Sequence, residues 1–217
     1  MSFTAYEQSL LIDAFKDTLY LLVVTGLLVF IFGSIIGLTL FLSELNGSKK
    51  QAVFHKIFGS IMDVFRSVPF IILMIIMIPV TVWLVGTMLG PNAAIPSLVL
   101  SAAPFYGRVF YNALRDIPKG HIEAIHSLGA NRKTLIVLLF KEAMPSLISG
   151  FTVTMVSLVG FIAAAGAVGA GGLGDLARRR ALTMDYDMMY ASVILLLVIV
   201  LVIQIIGDYL AKRIDKR

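Results

Sequence analysis

The sequence predicts an all-α integral membrane protein with five transmembrane helices, its N-terminus outside and its C-terminus inside. Three observations carry that reading. First, 59% of the 217 residues are hydrophobic and 14% are charged, whereas soluble domains carry about 25% charged residues. With a mean hydropathy of +0.93, the chain lacks the polar surface a soluble globule of this size needs. Second, the charges are absent from stretches long enough to cross a membrane. Third, the basic residues that remain cluster between alternate stretches.

A span takes about 20 apolar residues, because a helix rises about 1.5 Å per residue through a hydrocarbon core about 30 Å thick. No charge occurs from Thr18 to Ser43, from Ser67 to Gly107, from Ala143 to Gly174 or from Met188 to Gly207. The second stretch is about twice the length of one span. It breaks at Gly86 and at Gly90-Pro91-Asn92, a turn signal that makes it a helical hairpin. The spans are therefore expected near 18–43, 68–85, 93–112, 144–168 and 188–210, in a single domain covering 1–217. The first is not expected to be a cleaved signal sequence on the usual pattern: its apolar run is too long, and Glu7, Asp13, Lys16 and Asp17 do not make a basic leader.

With the N-terminus outside, the inner segments 44–66, 108–142 and 208–217 hold fourteen of the eighteen Lys and Arg. That satisfies the positive-inside rule. Lys16 and the Arg178-Arg179-Arg180 triplet remain outside, and the triplet is the one feature that runs against the rule. Trp83 falls where an interfacial anchor belongs. Gly33 and Gly37 form a G-x-x-x-G pair, the spacing of close helix packing.

Several function classes are excluded or weakened. Without cysteine there is no thiolate metal or redox site. The basic residues are scattered between apolar spans, not gathered on one face as nucleic-acid binding needs. No charge lies deep in a span, where a proton or ion route would show itself. His121-x-Glu123 and Glu123-x-x-His126 have metal-ligand spacing, but His55 is the only other histidine and the spans offer no partner carboxylates. The methionines, Met74, Met77 and Met155 among them, read as adaptable packing. The chain is not expected to be an enzyme.

The inner segment 108–142 has internal order. Pro118 is placed to start a helix and Gly129 to end one. Ile122, Ile125 and Leu128 share a face, and Glu123 lies in the first turn, where the helix dipole favours it. The expected element is a short helix over 118–130, with apolar anchors suited either to the membrane surface or to a groove on a partner.

Glu123-Ala124 followed by Gly129 resembles the E-A-A-x-x-x-G loop of binding-protein-dependent ABC importer permeases, with Ile125 where the family has a small residue. Phe65-Arg66-Ser67-Val68-Pro69-Phe70, Ala102-Ala103-Pro104-Phe105 and Ala167-Val168-Gly169-Ala170-Gly171-Gly172-Leu173-Gly174 resemble segments of the methionine importer permeases in the same order. The resemblance implies a multi-pass protein of a prokaryotic plasma (inner) membrane that forms the translocation pathway of an ATP-driven amino-acid importer, with methionine as substrate. It implies a second copy of the chain, two ATP-binding cassette ATPase subunits and an extracytoplasmic solute-binding protein as partners. It assigns coupling to the ATPase to Glu123, Ala124 and Gly129, with Ile122, Ile125 and Leu128 as contacts. A gate or pathway role falls to Arg66, Ser67, Pro69, Gly169, Gly171 and Gly172. The chain has no G-x-x-x-x-G-K-[ST] phosphate loop, so ATP and Mg would sit on the partner and no cofactor is expected here. Gly169-x-Gly171-x-x-Gly174 fits a dinucleotide fingerprint only in spelling, since it ends a membrane span and not a strand. The alternative function is an ion-coupled secondary transporter or channel for small solutes.

Overall fold

A computed structural model describes residues 3–45, 49–118, 120 and 132–215. Among the described residues run eight α-helices and no strand: α1 Ala5–Leu45, α2 Lys49–Ser67, α3 Phe70–Ile76, α4 Ile78–Val85, α5 Pro91–Arg115, α6 Arg132–Gly166, α7 Gly172–Leu182 and α8 Tyr186–Ile214. Four of them (α1, α5, α6 and α8) are each long and apolar enough to cross a membrane, and the bent pair α2–α3 brings the number to as many as five.

Helix α1 starts well before the first apolar residue of the expected span. The reason is local. The Thr4 backbone N–H donates to Glu7 Oε2 at 2.8 Å and the Glu7 N–H donates to Thr4 Oγ1 at 3.3 Å, a reciprocal capping box that satisfies two otherwise orphaned donors. From there 41 residues run without a break, about 60 Å of helix, so one end projects well beyond the hydrocarbon layer.

The region expected as a second span over 68–85 is divided. Pro69 cannot donate to the preceding turn and pushes Val68 out of the helical region, and α2 and α3 meet there at 101°. A second break at Met77, followed by Pro79 in the first turn of α4, separates α3 from α4. Together α3 and α4 reach about 24 Å. Gly86 closes α4 in the left-handed conformation, φ 82°, and the chain turns back at Gly90-Pro91 as the turn signal predicts. Trp83 is 82% exposed on α4.

The core forms where α5 packs against α1 and α6. Gly33 and Gly37 face α5 so closely that a Cβ on Gly33 would lie 2.7 Å from the Tyr106 ring, and one on Gly37 would lie 2.7 Å from the Gly107 carbonyl oxygen. In lipid, helices gain little from hiding apolar surface from one another, so association rests on this kind of contact. The span of α5 is the least apolar of the four long helices, mean hydropathy 1.2, yet 61% of it is buried; that of α8 is the most apolar, 2.9, and 11% buried. At these two extremes the more polar helix is the more buried one. Helix α5 carries Ser97, Ser101, Tyr106 and Tyr111 on buried positions, and α8 turns a wide aliphatic face outward.

Gly37→Val forces a branched side chain against the Gly107 carbonyl and Phe110. The expected result is a loss of about 1–3 kcal/mol of stability, read as a lower unfolding temperature of the detergent-solubilised protein, with Gly59→Ala, where the nearest atom is 3.7 Å away, near wild type.

Candidate functional site: the two ends of the helix bundle

At the end of α5 where Pro91 begins, three connections converge. The Gly90 N–H donates to the Gly169 carbonyl at 2.8 Å. Tyr20 Oη donates to Asn92 Oδ1 at 2.7 Å. Thr18, fully buried, donates through Oγ1 to the Ala14 carbonyl at 2.9 Å and accepts from the Leu173 N–H at 2.9 Å. The last of these supplies an acceptor to the first turn of α7, where intrahelical partners are missing.

Between α6 and α7 the chain turns through Gly169, Gly171 and Gly172, with φ of 98°, 77° and 78°. Side chains rarely adopt this left-handed region. A Cβ on Gly172 would also lie 2.8 Å from Thr18 Oγ1. Past the turn, Gly166 and Gly174 let α6 and α7 touch backbone to backbone. The expected candidates Gly169, Gly171 and Gly172 are therefore brought together, in a tight turn held against α1 and the hairpin. Thr18, together with Asp17, whose carboxylate accepts from the Gly172 backbone, holds it.

On α7, Asp175 receives both Arg178 at 3.3 Å and Arg179 at 3.1 Å, while Arg180 pairs with Asp185 at 3.1 Å. The Asp175 side chain is 12% exposed. Each member of the arginine triplet thus has a carboxylate, and the same Asp185 caps α8 by accepting from the Met188 N–H at 3.3 Å.

The second candidate group lies at the other end. Arg108 is seventeen residues along α5 from Pro91, about 26 Å. Asp63 on α2 accepts from Arg108 at 3.3 Å, tying α2 to α5, and lies 3.5 Å from Arg66. Arg66 rests over the Phe105 ring at 5.5 Å, a cation–π contact. Arg66, Ser67 and Pro69 line one pocket of about 520 Å³ at the α2–α3 elbow, with Phe70, Ser101, Phe105 and Phe161 as further walls. Beside it, Tyr111 Oη donates to Glu44 Oε2 at 2.5 Å, and Arg108 and Arg115 lie over the Tyr111 ring at 5.5 and 5.4 Å. His55 Nδ1 is 3.0 Å from both Ser43 Oγ and the Leu40 carbonyl. A carbonyl only accepts, so in this arrangement Nδ1 carries the proton. These contacts lash α2 along the ends of α1 and α5.

The six expected coupling residues, Ile122, Glu123, Ala124, Ile125, Leu128 and Gly129, lie outside the described residues. Among the described residues no group of three or more His, Asp or Glu side chains is placed to hold a metal.

The signature of the binding-protein-dependent transport system inner membrane component family matches residues 29–217. The chain belongs to that family. It is an inner-membrane, multi-pass permease component. It is 44% identical over 180 residues to the methionine import system permease protein MetP of Bacillus subtilis, covering 82% of this chain and 81% of that one. It is 39% identical over 215 residues to the Vibrio cholerae MetI permease named for D-methionine transport, covering 98% and 96%. A chain of the MetNI methionine ABC transporter, solved in inward-facing conformations, superposes with a TM-score of 0.93 at 35% identity, covering 99% of this chain and 100% of that one.

Thr18→Val keeps the shape of the side chain and leaves the Leu173 N–H buried without its acceptor. An unsatisfied buried donor costs about 1–3 kcal/mol, so the unfolding temperature in detergent should fall, whereas Thr39→Val, where the hydroxyl bonds only the Ile35 carbonyl of its own helix, should leave it nearly unchanged.

Proposed function

We propose that this permease imports methionine, working as a homodimer with two ATP-binding cassette ATPases and an extracytoplasmic binding protein. The observation that carries the reading is the match in sequence and backbone, over nearly the whole chain, to a methionine transporter chain and to permeases named for methionine. In this reading the elbow end faces the cytoplasm and the glycine turn faces outside. The arginine triplet then lies outside, and the orientation rests on the fourteen Lys and Arg of the inner segments against four outside.

Mechanistically, helix 118–130 docks in a cleft of the ATPase, with Glu123, Ala124 and Gly129 shaping the helix and Ile122, Ile125 and Leu128 supplying apolar contacts. ATP closes the two ATPases and draws the docking helices together. The spans rock, and the pathway opens outward to receive the amino acid; hydrolysis and release restore the inward-facing arrangement. This is a two-state element biased by its partner. Arg66, Ser67 and Pro69 border the pathway on the inner side, where the elbow supplies a pocket that combines charge with aromatic walls. Gly169, Gly171 and Gly172 border it outside.

Orientation is directly testable because the chain contains no cysteine. Single replacements Thr87→Cys and Leu182→Cys should react with a membrane-impermeant maleimide in intact spheroplasts; Asp116→Cys should react only after permeabilisation. The reverse pattern would invert the topology. For transport, the complex reconstituted in liposomes with its ATPase and binding protein should show ATP-dependent methionine uptake. Gly129→Asp places a charge at the end of the docking helix and should abolish uptake; undiminished uptake would remove the coupling role from 118–130. Uptake of other amino acids but not methionine would correct the substrate alone.

A further inference from the structure

We infer that the pocket at the α2–α3 elbow is a recognition site for the zwitterionic head of an apolar α-amino acid, with Arg66 as the carboxylate clamp. The inference rests on the pathway reading above and deepens it, because it names what the pathway grips.

Charge comes first. Asp63 lies between two guanidinium groups, Arg66 at 3.5 Å and Arg108 at 3.3 Å, so the three side chains carry one net positive charge. Arg108 is spent on Asp63 and on the Tyr111 ring and does not line the pocket. Arg66 does line it. A guanidinium presents five N–H donors in a rigid fork that matches a carboxylate. The ion pair of Arg66 with Asp63, at 3.5 Å, is long beside the roughly 2.7–2.9 Å of a strong charge-assisted bond. Phe105 lies under the guanidinium, its ring centroid 5.5 Å from Cζ, and limits where the head group can go. The fork is therefore confined, positively charged and only weakly engaged.

The remaining walls suit the rest of such a ligand. Ser67 Oγ donates to the Asp63 carbonyl at 2.8 Å, which leaves its lone pairs to accept from an ammonium group. The Asp63 carboxylate lines the same pocket and offers a second acceptor. Phe70 and Phe161 stack at 5.1 Å with their planes 20° apart and form an apolar wall against which an aliphatic or thioether side chain packs favourably. By contrast, a cavity between α1, α5, α6 and α8, about 610 Å³, has no charged residue in its lining, and one of about 770 Å³ between α6 and the end of α8 has Lys141, Glu142 and Asp215 but no aromatic wall. A zwitterion placed in the first would lose its hydration without compensation. The elbow pocket supplies a cation, acceptors and an apolar surface within one space.

The test uses the permease–ATPase complex in nanodiscs, without the binding protein, and a diazirine analogue of methionine as photoreactive probe, with adducts mapped by mass spectrometry. Label is expected on peptides bearing Phe70, Phe105 or Phe161. Methionine should displace it, whereas methioninol, which lacks the carboxylate, should not displace it at the same concentration. Arg66→Gln should lower labelling by about tenfold or more, and Arg66→Lys, which keeps charge but loses the fork, should fall between. Displacement by methioninol as effective as by methionine, label confined to other segments, no displaceable label, or label unchanged in Arg66→Gln would each overturn the inference. The competition arm needs no variant, so a misfolded Arg66→Gln protein does not shield it. Methionine uptake by the complete wild-type transporter is measured in parallel. Uptake without displaceable elbow label overturns the site and leaves the transport function standing; absence of any amino-acid uptake overturns that function and the site with it.

Discussion

The close approach of α1 to α5 is the contact on which the rest of the structure depends. Lipid chains are as apolar as the side chains they surround, so the helices are not driven together by escape from water. What remains is van der Waals contact and hydrogen bonding, both of short range. Gly33 and Gly37 bring two backbones close enough for α5 to lie along much of α1, with the Tyr106 and Phe110 rings seated directly over the glycines. Helix α6 then packs against both, where Phe151 meets Phe30 of α1 and Gly150 makes room for Val109 of α5, and α8 meets α6 where Gly207 faces Thr152. The bundle is a succession of such small-residue contacts laid on the first.

The two ends of this bundle are built on different principles. At the hairpin end the chain is held by backbone: carbonyls and N–H groups of glycine turns bond to one another and to Thr18. That geometry admits little adjustment, because Gly171 and Gly172 occupy a backbone region that side chains avoid. At the elbow end the ties are long side chains, Arg108 to Asp63 and Tyr111 to Glu44, which re-form over a range of distances. A rocking motion of the spans would therefore find a stiff end and a compliant one.

Much of this was legible in the residues. Charge-free stretches located the four long helices, because the cost of placing a charge in hydrocarbon is large enough to mark the sequence. The Gly86 and Gly90-Pro91 turn was legible for the same reason that it forms: glycine takes positive φ and proline begins a helix. The packing role of Gly33 and Gly37 was readable from their spacing. The elbow was not. Counting charges over 44–66 yields only an inner segment, whereas Val53, Ile57, Ile61 and Val64 recur at helical intervals and signal the amphipathic helix α2. Thr4 and Glu7 likewise announced the true start of α1 by their three-residue separation. The pairing of Asp63 with Arg108, and the seat of Leu173 on Thr18, join residues far apart in the chain, and no local pattern encodes them. The pocket at the elbow was half visible: Arg66, Ser67 and Pro69 stood out as a segment, but Ser101, Phe105 and Phe161 reach it only through the packing of α5 and α6.

The uneven polarity of the helices has a consequence for biogenesis. A segment with the modest hydropathy of α5 gains little by partitioning into lipid alone, and its prolines at positions 96 and 104 reduce that gain further by leaving backbone carbonyls without helical partners. Helix α1, strongly apolar and made first, provides the surface against which α5 becomes comfortable. The order of synthesis and the order of packing therefore coincide. A newly made chain whose α1 failed to wait beside the insertion channel would strand α5 at the membrane's edge.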